Sequence, residues 1–234
     1  MLTTTQERDT AKAAVGRAVA DLVTDGMVIG VGTGSTATKA IEAIGERIRS
    51  EALVVQGVPT SFASEQLARQ QGITIASLDS IEALDLAFDG ADEVDPQLQL
   101  IKGRGAAQSR EKVVAKAARS FLVLVDDSKL VDQLGTKFPV PIEFIPLALG
   151  PVKRLILSLG GKPELRMAKA KDGPVVTDQG LWILDAHFDG IDDPHFVDKA
   201  LSTEPGVLDH GLFLDMTTQV FIGRADGSVR TITP

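Results

Sequence analysis

Side chains able to transfer protons gather between Asp85 and Lys129. Asp89 and Asp92 end one apolar strand pattern, Lys102 ends a second, and Glu111 lies in the first turns of the helix pattern that follows. The carboxyl ends of parallel strands share one edge of a sheet, and open α/β folds build their sites there. We therefore expect acids, a cation and a carboxylate base along one edge, a combination suited to general acid–base chemistry.

The helix that carries Glu111 has a predicted apolar face at about 100° per residue. Its members are Ala106, Ala107, Val113, Val114, Ala117 and Ala118, opposite Gln108, Lys112, Lys116 and Arg119. Glu111 falls on the seam between the two faces, where partial loss of water favours a general base over a solvated helix glutamate. Arg110 falls nearer the middle of the apolar face and is expected to need a carboxylate partner.

A glycine-rich turn, Gly30-Val31-Gly32-Thr33-Gly34-Ser35-Thr36, joins a predicted strand (27–31) to a predicted helix (37–48). Such a turn directs backbone N–H groups and the positive end of a helix dipole at one point. Thr33, Ser35 and Thr36 add hydroxyl donors, so the expected ligand is a phosphate group. The alternative is a purely structural turn, because the sequence matches neither the dinucleotide fingerprint nor the nucleotide P-loop.

Composition restricts the partners of the chain. Its 234 residues are 44% hydrophobic, carry a net charge of −8 and include no cysteine, which excludes disulfides, thiolate catalysis and zinc–thiolate sites. No basic run suits a nucleic acid, and no apolar run reaches the roughly 18 residues of a membrane span. We expect a cytoplasmic protein that binds a small anion among the local cations, which are Lys102, Arg104, Arg110, Lys112 and Lys129.

A metal site is the main alternative use of the central acids. Asp89, Asp92, Glu93 and Asp95 lie close together in the sequence, and carboxylates suit magnesium. Their spacing matches no calcium loop, and Lys102 would compete for the carboxylates. The prediction is therefore that the protein uses no metal.

Alternating strand and helix patterns predict a parallel sheet with helices on both sides over the first part of the chain. Prolines at 139, 141, 146 and 151 interrupt that order, and they favour an edge strand or a linker at a domain boundary rather than a helix. The patterns beyond it, including one strand over 207–214, predict a small α+β layer. A hairpin over 219–233 closes the chain.

Several ordered motifs resemble ribose-5-phosphate isomerases of the A type. They are GVGTGSTA at 30–37, DGAD at 89–92, KGRGAAQSREK at 102–112, DDSK at 126–129, FPVPIEFIP at 138–146 and HGLF at 210–213. The resemblance implies a Rossmann-like α/β domain (1–138 plus 216–234) and a smaller α+β domain of ferredoxin-like type (139–215) that serves oligomerisation. It also implies a homodimer or homotetramer, no metal and no organic cofactor.

The same resemblance implies interconversion of D-ribose 5-phosphate and D-ribulose 5-phosphate, with Glu111 as proton acceptor, Asp89 assisting ring opening and Lys102 as the catalytic cation. The implied substrate-binding residues are Thr33, Gly34, Ser35, Thr36, Asp89, Gly90, Ala91, Asp92, Lys102, Gly103, Arg104, Gly105 and Lys129. Many relatives have glycine at the position of Arg104, which leaves open whether this residue meets the ligand through its backbone or points away. The alternative function is a non-catalytic, sugar-phosphate-binding regulatory domain.

Overall fold

The computed structural model describes residues 4–234, which contain six α-helices and fourteen β-strands. The helices are α1 (Thr5–Ala20), α2 (Ser35–Glu51), α3 (Phe62–Gln70), α4 (Gln108–Ala117), α5 (Leu149–Ser158) and α6 (Pro194–Ser202). The strands are β1 (Val28–Val31), β2 (Gln56–Pro59), β3 (Thr74–Ile75), β4 (Leu86–Gly90), β5 (Glu93–Val94), β6 (Leu100–Ile101), β7 (Phe121–Asp126), β8 (Val140–Phe144), β9 (Lys162–Leu165), β10 (Trp182–His187), β11 (Val207–His210), β12 (Leu212–Phe213), β13 (Gln219–Gly223) and β14 (Val229–Ile232). Within residues 4–234, no helix combines the length and the apolar character that a membrane crossing requires.

The chain divides into two compact units. Unit 1 comprises the chain up to Ala91, Arg110–Leu130 and Met216–Pro234, and unit 2 comprises Asp92–Ser109 and Val131–Asp215.

Unit 1 is built on a seven-stranded sheet in the order β14-β13-β7-β4-β1-β2-β3, in which only the β13–β14 pair is antiparallel. Every residue of β7 is buried, as expected for a continuous apolar strand covered on both faces. α1 approaches α2 closely at Gly16, where an added Cβ would lie 2.6 Å from the backbone of Lys39. The closing hairpin joins the sheet through parallel pairing of β13 with β7, so the last strands return to the larger unit.

Unit 2 contains two antiparallel sheets. One has the order β11-β8-β10-β9 and is accompanied by α5 and α6, and the other has the order β12-β6-β5. A parallel-sheet core together with an antiparallel α+β unit confirms the predicted fold class.

The proline-rich segment was predicted to be an edge strand or linker without helix, and this prediction was wrong. β8 is an inner strand whose five residues are all buried. Pro141 lacks only the N–H, and its carbonyl oxygen still accepts from Gly211 N at 2.7 Å. Pro146 opens a 3₁₀ turn and Pro151 lies in the first turn of α5, positions where a helix does not need the missing N–H.

The single strand predicted over 207–214 is divided at Gly211. β11 belongs to the four-stranded sheet, whereas β12 pairs with β6 in the other sheet. Gly211 passes so close to Lys102 that an added Cβ would lie 2.2 Å from the Lys102 carbonyl oxygen. The close approach explains the glycine, and the sequence pattern alone does not reveal the change of sheet.

The predicted faces of α4 were wrong for several residues. Val113 is 56% exposed and Arg110 is exposed rather than on the buried side, whereas Gln108 is fully buried. The helix begins at Gln108, and Ala106 precedes it with a φ of +58°, so helical phase cannot be counted from Ala106. Glu111, expected at a seam, is only 5% exposed and is therefore more deeply buried than predicted.

The two units divide the chain differently from the predicted domain boundaries, because residues 92–109 and 131–138 belong to unit 2. A buried carboxylate joins these segments: Glu93 accepts the backbone N–H groups of Gly135, Lys137 and Phe138 at 2.6, 2.5 and 2.7 Å. The use of 139–215 for oligomerisation stays a prediction.

Candidate active site

Three neighbouring parallel strands of unit 1 end beside one another. β4 lies between β1 and β7, with Val31 opposite Phe88 and Gly90 opposite Leu124. Their carboxyl ends lead into the 32–36 turn, into Asp89–Ala91 and into the 3₁₀ turn Asp127–Lys129. Sheet order therefore places the glycine-rich turn, the first aspartate and Lys129 at adjacent strand ends.

The glycine-rich turn leaves the start of α2 open. Gly34 has a φ of +95° and is the N-cap of α2, so the N-cap residue gives no side-chain hydrogen bond to the first backbone N–H groups of this helix. Ser35 is exposed and Thr36 is half-buried, so both stand at a helix start that solvent can reach. A helix start of this kind suits an anion, and anion binding at this turn stays a prediction.

Thr33 occupies a different position from the two residues that follow Gly34. Its hydroxyl group donates to Ser61 Oγ at 2.8 Å and lies 2.7 Å from Thr60 Oγ1. The single hydroxyl proton of Thr33 is thus already used, and Thr60 must be the donor in the second bond. Thr33 was expected to offer a hydroxyl proton to the ligand. In this arrangement its proton goes to Ser61 Oγ, its oxygen accepts from Thr60, and the two bonds hold the glycine-rich turn beside the start of α3.

Thr60 and Ser61 were missed by the sequence analysis. Ser61 is the N-cap of α3 and forms a capping box with Ser64, and Thr60, Ser61 and Ser64 are all buried. The sequence PTS before a helix pattern signals only a turn and a cap. Its contact with Thr33, 27 and 28 residues away along the chain, has no sequence signal.

Asp89 is 2% exposed and ends β4. Its Oδ1 accepts the backbone N–H of Thr33 at 3.0 Å and that of Gly90 at 2.8 Å. Gly32 makes this approach possible, because an added Cβ would lie 2.6 Å from Asp89 Oδ1. Two N–H donors stabilise the ionised carboxylate and join the glycine-rich turn to the end of β4.

Glu111 lies in the first turn of α4. Val114, three residues later on the same side of the helix, packs against Gly30 of β1, where an added Cβ would lie 2.5 Å from Val114 Cγ1. The face of α4 that carries Glu111 therefore packs over β1. Lys129 is half-buried at the end of its 3₁₀ turn.

Unit 2 begins with Asp92 and contains the Lys102–Gly105 loop. Asp92 N donates to Ile101 O at 2.8 Å, and Asp92 Oδ2 accepts Arg104 N at 3.0 Å. Gly103 has a φ of +105°, and Lys102 is 2% exposed. The Arg104 side chain is exposed, and its backbone N–H binds Asp92. This large side chain therefore leaves the backbone of the loop in place.

Arg166 holds the same loop from within unit 2, and the sequence analysis missed it. Its Nη1 donates to the carbonyl oxygens of Gly103 and Arg104 at 3.0 and 3.2 Å. Asp185 pairs with the same guanidinium, with Nε donating to Oδ2 at 2.8 Å. An isolated arginine beside a predicted strand gives no signal for this role, because its partners lie 62 and 63 residues away.

Two of the acids considered for a metal site serve other groups. Glu93 binds the backbone at 135–138, and Asp95 Oδ1 accepts the N–H groups of Gln97 and Gln99 at 2.9 and 2.8 Å. Burial raises the pKa of Asp95 above its ordinary value, and the two N–H donors act in the opposite direction. Across residues 4–234, no three His, Asp or Glu side chains are grouped so that they could hold a metal ion.

Fold and site together define an α/β protein whose candidate site lies at the carboxyl ends of its parallel strands. The family described as ribose 5-phosphate isomerase A (phosphoriboisomerase A) matches residues 56–227. The chain is 52% identical over 213 residues to ribose-5-phosphate isomerase A of Thermosynechococcus vestitus, covering 91% of this chain and 90% of that protein. It is 49% identical over 226 residues to the Trichodesmium erythraeum protein of the same name, covering 95% of each.

Solved structures agree with these sequence relatives. Ribose 5-phosphate isomerase A from Methanocaldococcus jannaschii superposes with a TM-score of 0.92 at 44% identity, covering 96% of this chain and 98% of that one. A D-ribose-5-phosphate isomerase in complex with phospho-erythronic acid superposes with a TM-score of 0.93 at 45% identity, over the same shares of the two chains. The chain belongs to the ribose 5-phosphate isomerase A family.

Proposed function

We propose that this chain interconverts D-ribose 5-phosphate and D-ribulose 5-phosphate by proton transfer through an enediolate. The observation that carries the proposal is the meeting of β1, β4 and β7 at their carboxyl ends, with an open anion turn, a buried aspartate and a lysine there. Membership of the isomerase family supports the same reaction.

The reaction needs one base and a stabilised oxyanion. We assign the base to Glu111: its carboxylate takes the C2 proton of the open-chain aldose, and the negative charge then lies on O1 of the enediolate. Transfer of the O2 proton to O1 and return of the proton from Glu111 to C1 then give the ketose. A carboxylate placed over the C1–C2 bond serves both transfers.

Lys102 is assigned to the developing charge on the substrate oxygens. A fixed donor in a water-poor site contributes about 3 kcal/mol to such a transition state. The buried position of Lys102 supports this role, because the ammonium group is not surrounded by bulk water.

The remaining site residues bind the sugar and its phosphate group. Asp89 assists ring opening and, with Asp92, accepts from sugar hydroxyl groups, while Gly90, Ala91, Gly103, Arg104 and Gly105 contribute backbone contacts. Gly34, Ser35, Thr36 and Lys129 bind the phosphate, and Thr33 orients the turn. Phosphate binding far from C1 and C2 positions the reacting end.

We further propose a cytoplasmic homodimer or homotetramer that uses neither metal nor organic cofactor. Large exposed apolar side chains in unit 2 support self-association: Leu147 is 89% exposed and Leu208 is 52% exposed. Light scattering on the purified protein measures the mass directly, and a monomer at micromolar concentration would contradict this assignment.

The activity test is a coupled assay that follows ribulose 5-phosphate formation from ribose 5-phosphate in the presence of EDTA. We expect turnover that EDTA does not change. No turnover would favour the non-catalytic sugar-phosphate-binding domain, and turnover abolished by EDTA would favour a metal enzyme.

The Glu111→Gln variant tests the base. We expect kcat to fall about 1000-fold, because the amide keeps the shape of the carboxylate but cannot accept the proton. Phospho-erythronic acid should still bind, as calorimetry can measure. Glu82→Gln, at an exposed position, is the matched control and should keep normal kcat. A near-normal kcat for Glu111→Gln would remove this residue from the mechanism.

A further inference from the structure

The segment from His210 to Phe213 follows the backbone of Lys102 closely. In the β12–β6 pair, Leu212 lies opposite Ile101 and Phe213 lies opposite Leu100. Leu100 and Ile101 are the two residues that precede Lys102. Lys102 N donates to Gly211 O at 2.9 Å, and Gly211 N donates to Pro141 O at 2.7 Å. The backbone of Lys102 is therefore fixed to a strand that is itself fixed to β8.

The aromatic ring of Phe213 reaches the other end of Lys102. Lys102 Nζ lies 5.3 Å from the centre of this ring, within the distance at which an ammonium group is attracted to an aromatic face. Phe213 is completely buried and Lys102 is 2% exposed, so little water competes for the contact. Such contacts are strongest where water is excluded.

His210 anchors the same segment to α6. The ring is completely buried, and its Nδ1 accepts the backbone N–H of Leu212 at 3.3 Å. The ring proton is therefore on Nε2, which lies 3.0 Å from Ser202 Oγ and 3.4 Å from Asp198 Oδ1. Both partners belong to α6, so the residues before and after Gly211 are held on a rigid element.

We propose that Phe213 is a positioning residue for the isomerisation: its ring holds the Lys102 ammonium group in the direction from which it stabilises the enediolate. The inference rests on the proposed function, in which Lys102 is the catalytic cation. The backbone bonds fix where the Lys102 side chain starts, and the ring fixes where it ends. A lysine side chain has four rotatable bonds, so a contact at its far end contributes to preorganisation.

A fluorinated phenylalanine series at position 213 tests the role of the ring face. Fluorination weakens the negative face of the ring while the ring keeps nearly the same volume. We expect kcat to fall stepwise from phenylalanine through the monofluoro and difluoro to the trifluoro form, by about tenfold in all, with KM changed less than about twofold. A kcat that does not depend on fluorination, in folded protein, would overturn the proposal.

Leucine substitutions separate positioning from packing. Phe213→Leu removes the ring, and Phe144→Leu makes the same change at another completely buried phenylalanine of unit 2. We expect both variants to lose thermal stability, but only Phe213→Leu to lose about tenfold in kcat. Equal kcat losses in the two variants would mean that Phe213 acts only through packing.

A double-mutant cycle with Lys102→Ala completes the test. Phe213→Leu should cause no further loss of kcat once Lys102 is absent, because the ring then has no ammonium group to hold. A tenfold loss that persists in the Lys102→Ala background would overturn the positioning role. If Lys102→Ala alone keeps full turnover, the proposed role of Lys102 itself is wrong, which distinguishes the two failures.

Discussion

The two hydrogen-bond donors of Thr33, its backbone N–H and its hydroxyl group, both bind neighbouring protein groups. Its backbone N–H binds Asp89 Oδ1, and its hydroxyl proton is given to Ser61 Oγ. The chain of hydroxyl groups then continues, since Ser61 Oγ donates to Ser64 Oγ at 3.2 Å and Ser64 Oγ donates to Ser61 O at 3.1 Å. The carbonyl oxygen of Ser61 can only accept, and each hydroxyl has one proton, so the direction of the whole chain makes Thr60 its first donor.

Thr60 is not one of the predicted substrate-binding residues, but Thr60→Val should still weaken substrate binding. Valine keeps the shape of threonine but cannot donate to Thr33, which frees the glycine-rich turn to change position. We expect KM to rise about threefold to tenfold, the effect of one lost hydrogen bond, with kcat nearly unchanged. Steady-state kinetics with ribose 5-phosphate measure both constants.

Thr60→Ser is the matched control, because serine keeps the donor at this buried position. It should show near-normal KM. An unchanged KM in Thr60→Val would mean that the turn is positioned by the Asp89 contact alone.

At the level of elements, α4 contains a polar residue that its surroundings do not satisfy. Gln108 is completely buried at the first position of the helix, and neither of its amide atoms has a hydrogen-bond partner within residues 4–234. The side chain lies against the Lys102–Gly105 loop, where an added Cβ on Gly103 would be 2.9 Å from Gln108 Oε1. A buried amide without partners lowers the stability of the folded state.

Gln108→Leu should raise stability. Leucine has a similar length, is a good helix former and leaves no polar atom buried, so we expect a gain of about 1–3 kcal/mol in the free energy of unfolding. Chemical denaturation measures the gain. Gln108→Ala is the comparison and should be less stable than Gln108→Leu, because it leaves a cavity. A destabilised Gln108→Leu variant would show that the amide is needed.

The sequence predicted some elements well because their physical causes are local. β1, the glycine turn and α2 follow from an apolar run, glycines and a helical pattern that lie next to one another in the sequence. The buried side of α4 was mispredicted because the helix begins only at Gln108 and because polar residues are buried in its first turn, where Ser109 donates to the carboxylate of Glu143. Hydrophobic periodicity cannot reveal a buried polar pair.

The same reason limited the prediction of the candidate site. Motifs of consecutive residues, such as 33–36, 89–92 and 102–105, were visible in the sequence because glycine and charge mark them. The roles of Arg166, Thr60 and Phe213 were not visible, since each acts through a residue at least 27 positions away. Two-residue strands such as β6 and β12 are also too short to give a periodic signal.

At the scale of the whole molecule, unit 2 is made from two separate segments of the chain. Asp92–Ser109 supplies β5 and β6, and β6 is the partner of β12 in the three-stranded sheet. The same segment supplies Glu93, which binds three backbone N–H groups at 135–138, and Ser109, which binds Glu143 at the centre of β8. The later segment is therefore incomplete by itself.

A fragment of residues 139–215 should accordingly fail to fold. It lacks β6, the partner of β12, and the hydroxyl donor from Ser109, so the buried carboxylate of Glu143 would keep only Thr177 of its two hydroxyl partners. We expect narrow amide dispersion in its NMR spectrum. The matched control protein joins residues 92–109 to 131–215 through a flexible linker of about ten residues, and it should give a dispersed spectrum. A well-dispersed spectrum from 139–215 alone would show that the β11-β8-β10-β9 sheet with α5 and α6 is sufficient, and that residues 92–109 are not needed for this fold.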